Sequence, residues 1–297
     1  KDLMEKDLEF KKYQQTPDLV EDVQKIPKLR IGDISRNTEK IPTKKEKISE
    51  VLFLHNPLKT GGLCYLGLAF DTKTVPQEKL YSLNILSILL GKVSTKKHAY
   101  EELDILTQKY TGGFSFKRDV FLFKEEGSKY MPKLIFKGRC LERNFSKMLE
   151  IFLEVIHESK FDEKEHIERI LMEIKSKMEM NMDMRGDEVA STRLLSYFSE
   201  FGKYNEHVNG LSFYHFLVDF LENFDRDWNI LKKDLEYLKE VVFDKANLVG
   251  SIVCENKKNK DLESLVSKLK SFDLPEQKYV FKLKNINEGL LTKSSVQ

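Results

Sequence analysis

Residues 100–116 read YEELDILTQKYTGGFSF, and the transition inside this stretch sets the fold class. Tyr100, Leu103, Leu106 and Tyr110 recur at the three-to-four spacing that places side chains on one helical face. Gly112 and Gly113 follow, and glycine takes the positive φ that ends a helix at little cost. FSFKRDVFLF, residues 114–123, is then rich in aromatic and β-branched residues, as a strand is. Helix, double glycine, strand is the grammar of a layered α/β fold.

The same grammar extends on both sides. EVLFLHN (50–56) and GLCYLGLAFDT (62–72) read as strands joined by the turn-rich PLKTGG, which predicts a hairpin. Pro76 opens a long apolar helix, PQEKLYSLNILSILLGKV. KLIFKGRCL (133–141) reads as a partner for the strand at 114–123, with KEEGSKYMP as the loop between them. Phe145, Met148, Leu149, Phe152 and Ile156 mark one amphipathic helix, Ile167, Ile170, Leu171 and Ile174 the next, and helical pattern continues from Glu188 to about Val242. NLVGSIVCE (247–255), a helix around Leu262, Leu265, Val266 and Leu269, and the alternating KYVFKLK (278–284) return to strand–helix–strand. The predicted fold is α/β of the α+β layered kind: one mostly antiparallel sheet covered on one side by helices. Ahead of it, residues 1–25 are polar and helix-prone, with Pro17 after Thr16 opening a second helical turn, and residues 26–48 read as a Pro-punctuated, irregular connection.

Composition narrows the functional classes. With 297 residues, 40% of them hydrophobic, the chain has enough apolar material for a substantial core. A net charge of +2 with Lys and Glu intermixed gives no reason to expect nucleic acid or an anionic membrane as partner. No apolar run of about 18 residues and no signal peptide are visible. The sequence starts at Lys1 in mid-helical pattern, which leads us to expect a piece of a longer polypeptide. Cys64, Cys140 and Cys254 are far apart in sequence and odd in number, and read as buried, reduced thiols of an intracellular protein.

No local pattern supplies a catalytic constellation. Neither HExxH nor HxxEH occurs among the six histidines His55, His98, His157, His166, His207 and His215. HESKFDEKEH holds His157 and His166 nine residues apart, about two and a half helical turns, too far for one ion. MEMNMDM (178–184) places methionine at every second position, and on a helix that spacing sends the sulfurs to opposite faces. Phosphate loops and the GxSxG elbow are missing, and Glu101–Glu102 and Glu125–Glu126 read as solvated pairs. From residues alone, the catalytic, cofactor-binding and metal sites are all predicted to be none.

The order of YQQTPD, IPKLRIGDISR, TGGLCYLGLAFD, STKKHAYEELDILTQKYTGGFSF and NEGLLTKSSVQ resembles the segment that follows the catalytic half of presequence proteases. These are two-halved members of the pitrilysin group of inverted-motif zinc metallopeptidases, and the resemblance spans nearly the whole chain. It departs from the family at TGGL, where an Asn-Gly turn is more usual. In the family's active half, HxxEH lies on the helix before the Gly-Gly strand. Here the resemblance puts the two ligand positions near Ile85 and Leu89, the base position near Ile88, and a distant third ligand near Glu173. Isoleucine and leucine hold neither zinc nor a proton. The resemblance therefore implies a duplicated metallopeptidase-like domain without its metal site. It further implies residues 1–28 as the end of a helical hairpin joining two halves, residues 29–284 as the non-catalytic domain, and residues 285–297 as a linker to a missing C-terminal domain. Zinc would sit in the missing catalytic half, and the partners would be that N-terminal half of the same polypeptide and unfolded peptide substrates.

Three functions follow as expectations. The first is a chamber-forming, non-catalytic domain of a zinc metalloendopeptidase, inactive by itself, in a bacterial cytoplasm or organelle matrix. The second is an inactive scaffold akin to the metal-free subunits of processing peptidases. The third is an independent enzyme with a dispersed site, which the missing motifs disfavour.

Overall fold

A computed structural model describes residues 2–37, 40–124, 129–272 and 274–281. The chain divides into two compact units, residues 1–41 and 42–297. In the first unit, α1 (Asp2–Gln15) and α2 (Val20–Lys25) bury no residue. Their regularity rests on local pairs, among them Lys6–Asp2 at 3.1 Å and Lys11–Asp7 at 2.7 Å, one turn apart. Thr16 closes α1 by donating its hydroxyl to the Lys12 carbonyl at 2.7 Å, and Pro17 prevents continuation.

Among the described residues the second unit is built on six strands: β1 (Lys44–Ile48), β2 (Val51–Asn56), β3 (Leu63–Asp71), β4 (Phe114–Leu122), β5 (Tyr130–Leu141) and β6 (Leu248–Val253). They lie in the order β1-β2-β6-β3-β5-β4. Only β2–β6 is parallel, so the sheet is mostly antiparallel, as expected. The helices are α3 (Leu80–Leu89), α4 (Tyr100–Tyr110), α5 (Phe145–Glu158), α6 (Lys164–Met184), α7 (Gly186–Leu195), α8 (Glu200–Asn209), α9 (Leu211–Glu222), α10 (Phe224–Val242) and α11 (Asn259–Ser267).

Period-two alternation divides the sheet into a covered face and an open one. Along β3, Cys64, Leu66, Leu68 and Phe70 are buried while Tyr65 is exposed and Gly67 and Ala69 are half-buried. The covered face carries an aromatic cluster in which Phe136 meets Phe152 at 4.5 Å and Phe116 at 5.3 Å, and Phe243 closes on Phe70 at 5.1 Å. Gly250 makes room for this packing: a Cβ there would lie 2.1 Å from the Phe53 ring. On the open face, Leu54, Tyr65, Ala69, Ile135, Val249 and Val253 line a shallow trough of about 730 Å³.

Two sequence expectations fail here. EVLFLHN and GLCYLGLAFDT do not form a hairpin, because β6 is inserted between β2 and β3. Strand β2 instead makes its hairpin with β1, inside the stretch read as irregular, through Ser49 and Glu50 at φ 47° and 70°. Positive φ at both central residues matches the right-handed twist of the strands, although neither residue is glycine. The second failure is KYVFKLK: its described part, residues 278–281, is outside any strand. Its alternation reflects burial of Tyr279 and Phe281, with the Tyr279 hydroxyl donating toward the Thr72 and Val75 carbonyls at 2.8 and 2.9 Å. Residues 282–284, the linker expected at 285–297 and the pair Glu125–Glu126 lie outside the described residues.

Candidate functional site

Helix α3 holds the three positions where the family's motif would fall. Ile85 and Leu89 are fully buried in the core, and Ile88 packs against it. Glu173 on α6 is exposed and ion-paired with Lys177, one turn along. That hydrogen bond holds its carboxyl below the ordinary carboxylate range. The four positions to which the resemblance points thus hold three hydrocarbon side chains and one surface carboxylate that is already paired. Among the described residues, no three His, Cys, Asp or Glu side chains converge in a way that suits a metal ion.

Each histidine has a local structural setting. His98 Nδ1 lies 2.8 Å from Glu154 Oε1, which also accepts from Thr95 Oγ1 at 2.6 Å. His166 stacks on Tyr100 at 4.1 Å and places Nε2 2.9 Å from the Lys92 carbonyl. His207 stacks on Tyr81 at 5.4 Å, and burial pulls it down to about 4. Burial also lowers His157. His215 meets Tyr214 edge-on at 5.6 Å.

His55 belongs to a grouping that linear spacing concealed. Strand register sets Cys64 directly opposite Cys140, and Cys254 follows the residue paired with Tyr65. Three thiols distant in sequence therefore lie in one row, on β5, on β3 and just past the end of β6, all buried and unbridged. Cys254 Sγ donates to the Asn256 carbonyl at 2.8 Å and lies 3.9 Å from His55 Nε2. Burial pushes the Cys140 and Cys254 thiols up to about 12 and raises Cys64 as well. Such groups are protonated thiols, not nucleophilic thiolates. The methionines of MEMNMDM divide as a helix requires: Met178 and Met182 are half-buried, Met180 and Met184 exposed.

The polar feature that sequence reading passed over is Arg118, at an inward position of β4 in line with Phe114, Phe116 and Val120. Its Nη1 donates to the Val208 carbonyl at 3.3 Å, while its buried Nε has no partner. Asn84 Nδ2 donates to the same carbonyl at 2.6 Å, and its Oδ1 is likewise buried without a partner. A cation among inward positions that are otherwise apolar (Phe114, Phe116 and Val120) was the available signal.

The family model of the domain associated with M16 peptidases of subfamily C matches residues 1–220. Protein HypA of Clostridium perfringens is 30% identical over 97% of this chain, which covers 30% of that protein. Presequence protease 1, chloroplastic/mitochondrial, of Arabidopsis thaliana is 24% identical over 90% of the chain and 25% of its own length. The mitochondrial presequence protease of Danio rerio is 21% identical over 90% of the chain and 26% of its length. The chain thus spans between a quarter and a third of each of these relatives. Among solved structures, a conserved protein from Enterococcus faecalis V583 superposes with a TM-score of 0.53 at 13% identity, over 79% of this chain and 52% of that one. No helix among the described residues is long and apolar enough to cross a membrane.

Proposed function

This chain belongs to the family associated with M16 peptidases of subfamily C, and on that premise we propose that it forms a non-catalytic wall of the substrate chamber of a zinc metalloendopeptidase that degrades unfolded peptides. The observation that carries the reading is the state of α3. Burial of Ile85 and Leu89 at 0% exposure turns the positions that bind zinc in the family's active half into core packing. A helix that points isoleucine and leucine into a core stabilises the fold through roughly 1.5–3 kcal/mol per side chain, and offers neither lone pair nor proton. Zinc and the general base would be supplied by another half of the same polypeptide, and unfolded peptide would be the substrate.

The test is cleavage of a quenched fluorescent peptide by this chain alone and by a longer polypeptide that joins it to an HxxEH-bearing half, each with and without a zinc chelator. Activity only in the longer polypeptide, abolished by chelator, is the expected result. Hydrolysis by the isolated chain would return the dispersed-site enzyme to first place. Full activity of the catalytic half without this chain would favour the scaffold.

A further inference from the structure

Strand β4 is the last strand of the sheet, and among the described residues one side of its backbone has no partner strand. Which groups face outward follows from its register with β5. Val120 lies opposite Pro132, which has no N–H, so that pair is not doubly hydrogen-bonded. Antiparallel alternation then turns the N–H and C=O of Phe114, Phe116 and Arg118 outward as well. At Val120 the outward N–H is capped by the carboxylate of Asp119 at 2.9 Å. Such caps are how edge strands are closed to further pairing. Phe114, Phe116 and Arg118 carry no such cap among the described residues, and a groove of about 820 Å³ runs beside them.

The groove continues past Ile88, Gly91 and Lys92 on one side and reaches Asn209 next to the Val208 carbonyl that holds Arg118. Gly91 belongs to this shape: at φ 82°, a Cβ on it would lie 2.7 Å from the Phe114 ring. The charge in the groove is unbalanced. Among the described residues no carboxylate pairs with Arg118, and none hydrogen-bonds the Lys92 ammonium. The one acid in the lining, Asp104, accepts from Gln108 at 2.6 Å. Burial lowers Lys92 and Arg118, the latter only to about 10, so its guanidinium keeps its charge at neutral pH. A buried guanidinium with an idle Nε is costly unless an anion or an ordered water meets it.

The geometry points to a peptide-binding groove along β4, in which an extended peptide adds to the strand edge and a carboxylate of that peptide pairs with Arg118. Main-chain pairing with Phe116 and Arg118 would supply sequence-independent affinity, and the guanidinium would select an acidic side chain or a terminal carboxylate. The inference builds on the reading of this chain as a peptide-handling domain, and names where on it peptide would lie.

A fluorescein-labelled probe of eight alternating Val and Thr residues with one central Glu and amidated ends tests this against its Glu-to-Gln twin, by fluorescence anisotropy on the intact chain. The Glu probe is expected to bind at least tenfold more tightly, Arg118→Gln to erase the difference, and Arg118→Lys to restore part of it. Amide hydrogen exchange should slow at Phe116 and Arg118 on binding. Equal affinity for the twins, absence of binding, or protection confined to the opposite sheet face would each overturn the proposal. If Arg118→Gln does not fold, the twin comparison and the exchange map on the unmodified chain decide it alone. The peptide-cleavage assay reads the chamber function separately, so a groove that binds nothing leaves that proposal standing.

Discussion

The two faces of the sheet share one backbone and one alternation, yet they differ in what covers them. On one face Phe70, Phe116 and Phe136 disappear under α5 and the α10–β6 connection, and Phe152 and Phe243 complete a dry aromatic cluster. On the other, Tyr65 is 41% exposed, and Lys133 and Asp71 form an ion pair at 2.9 Å where the covered face carries hydrocarbon. The difference teaches that the binary pattern of a strand tells which residues share a face, and the helices decide which face becomes the core. Stability should therefore be concentrated on one side of the same six strands.

Urea denaturation of single variants would break this comparison most directly. Phe136→Ala removes a fully buried ring from the centre of the cluster and is expected to cost about 3–5 kcal/mol. Tyr65→Ala on the open face should cost no more than about 1 kcal/mol, since the ring is only partly removed from water. Comparable losses at the two positions would mean that the open face is covered in solution.

The covered layer should also carry a pH signature. His207, packed between Tyr81 and Phe281, has its folded value lowered to about 4 from an unfolded value near 6.5. Between those values the unfolded chain binds the extra proton, so stability is complete above about pH 6.5 and declines as pH falls toward 4. After allowance for the part of the ring that water still reaches, the decline is expected to be about 1–2 kcal/mol. Paired carboxylates such as Glu46, Glu142 and Asp162, all held below their usual range, add loss in the same direction at lower pH. Denaturation at pH 7.5 and 5 should show that His207→Phe flattens the upper part of the profile. An unchanged profile would remove His207 as its cause.

The smallest effect is expected at the edge of the sheet, in the β1–β2 hairpin. Ser49 and Glu50 occupy the left-handed region without the glycine that eases it. Replacing them by Asn and Gly, as S49N/E50G, should stabilise the chain by up to about 1 kcal/mol, read as a higher urea midpoint at unchanged slope. A loss instead would mean that their side chains do more than turn the chain.

Much of the second unit was legible from pattern. The helix at 100–110, the strands at 114–122 and 133–141, and the helix faces led by Phe145 and Ile167 all lie where periodicity puts them. The strand at 44–48 was not, because KKEKI buries only Ile48 and has no alternation to read. Arg118 was missed for a related reason: an inward cation breaks the apolar alternation, and a sequence does not say whether it is neutralised across the fold. The row of Cys64, Cys140 and Cys254 depends on registers among three strands that are up to 190 residues apart in the chain (254 − 64 = 190).

The amino-acid sequence by itself determined the element types, the apolar faces, and the lack of donor atoms at residues 85, 88 and 89, since each follows from side-chain chemistry and local spacing. Only the tertiary structure decided that β6 enters between β2 and β3, which face of the sheet stays open, and that β4 lies, among the described residues, at the sheet edge beside a guanidinium whose Nε has no partner. Backbone hydrogen bonds are the same for every residue but proline, so they do not record which strands meet. That choice belongs to burial summed over the whole sheet.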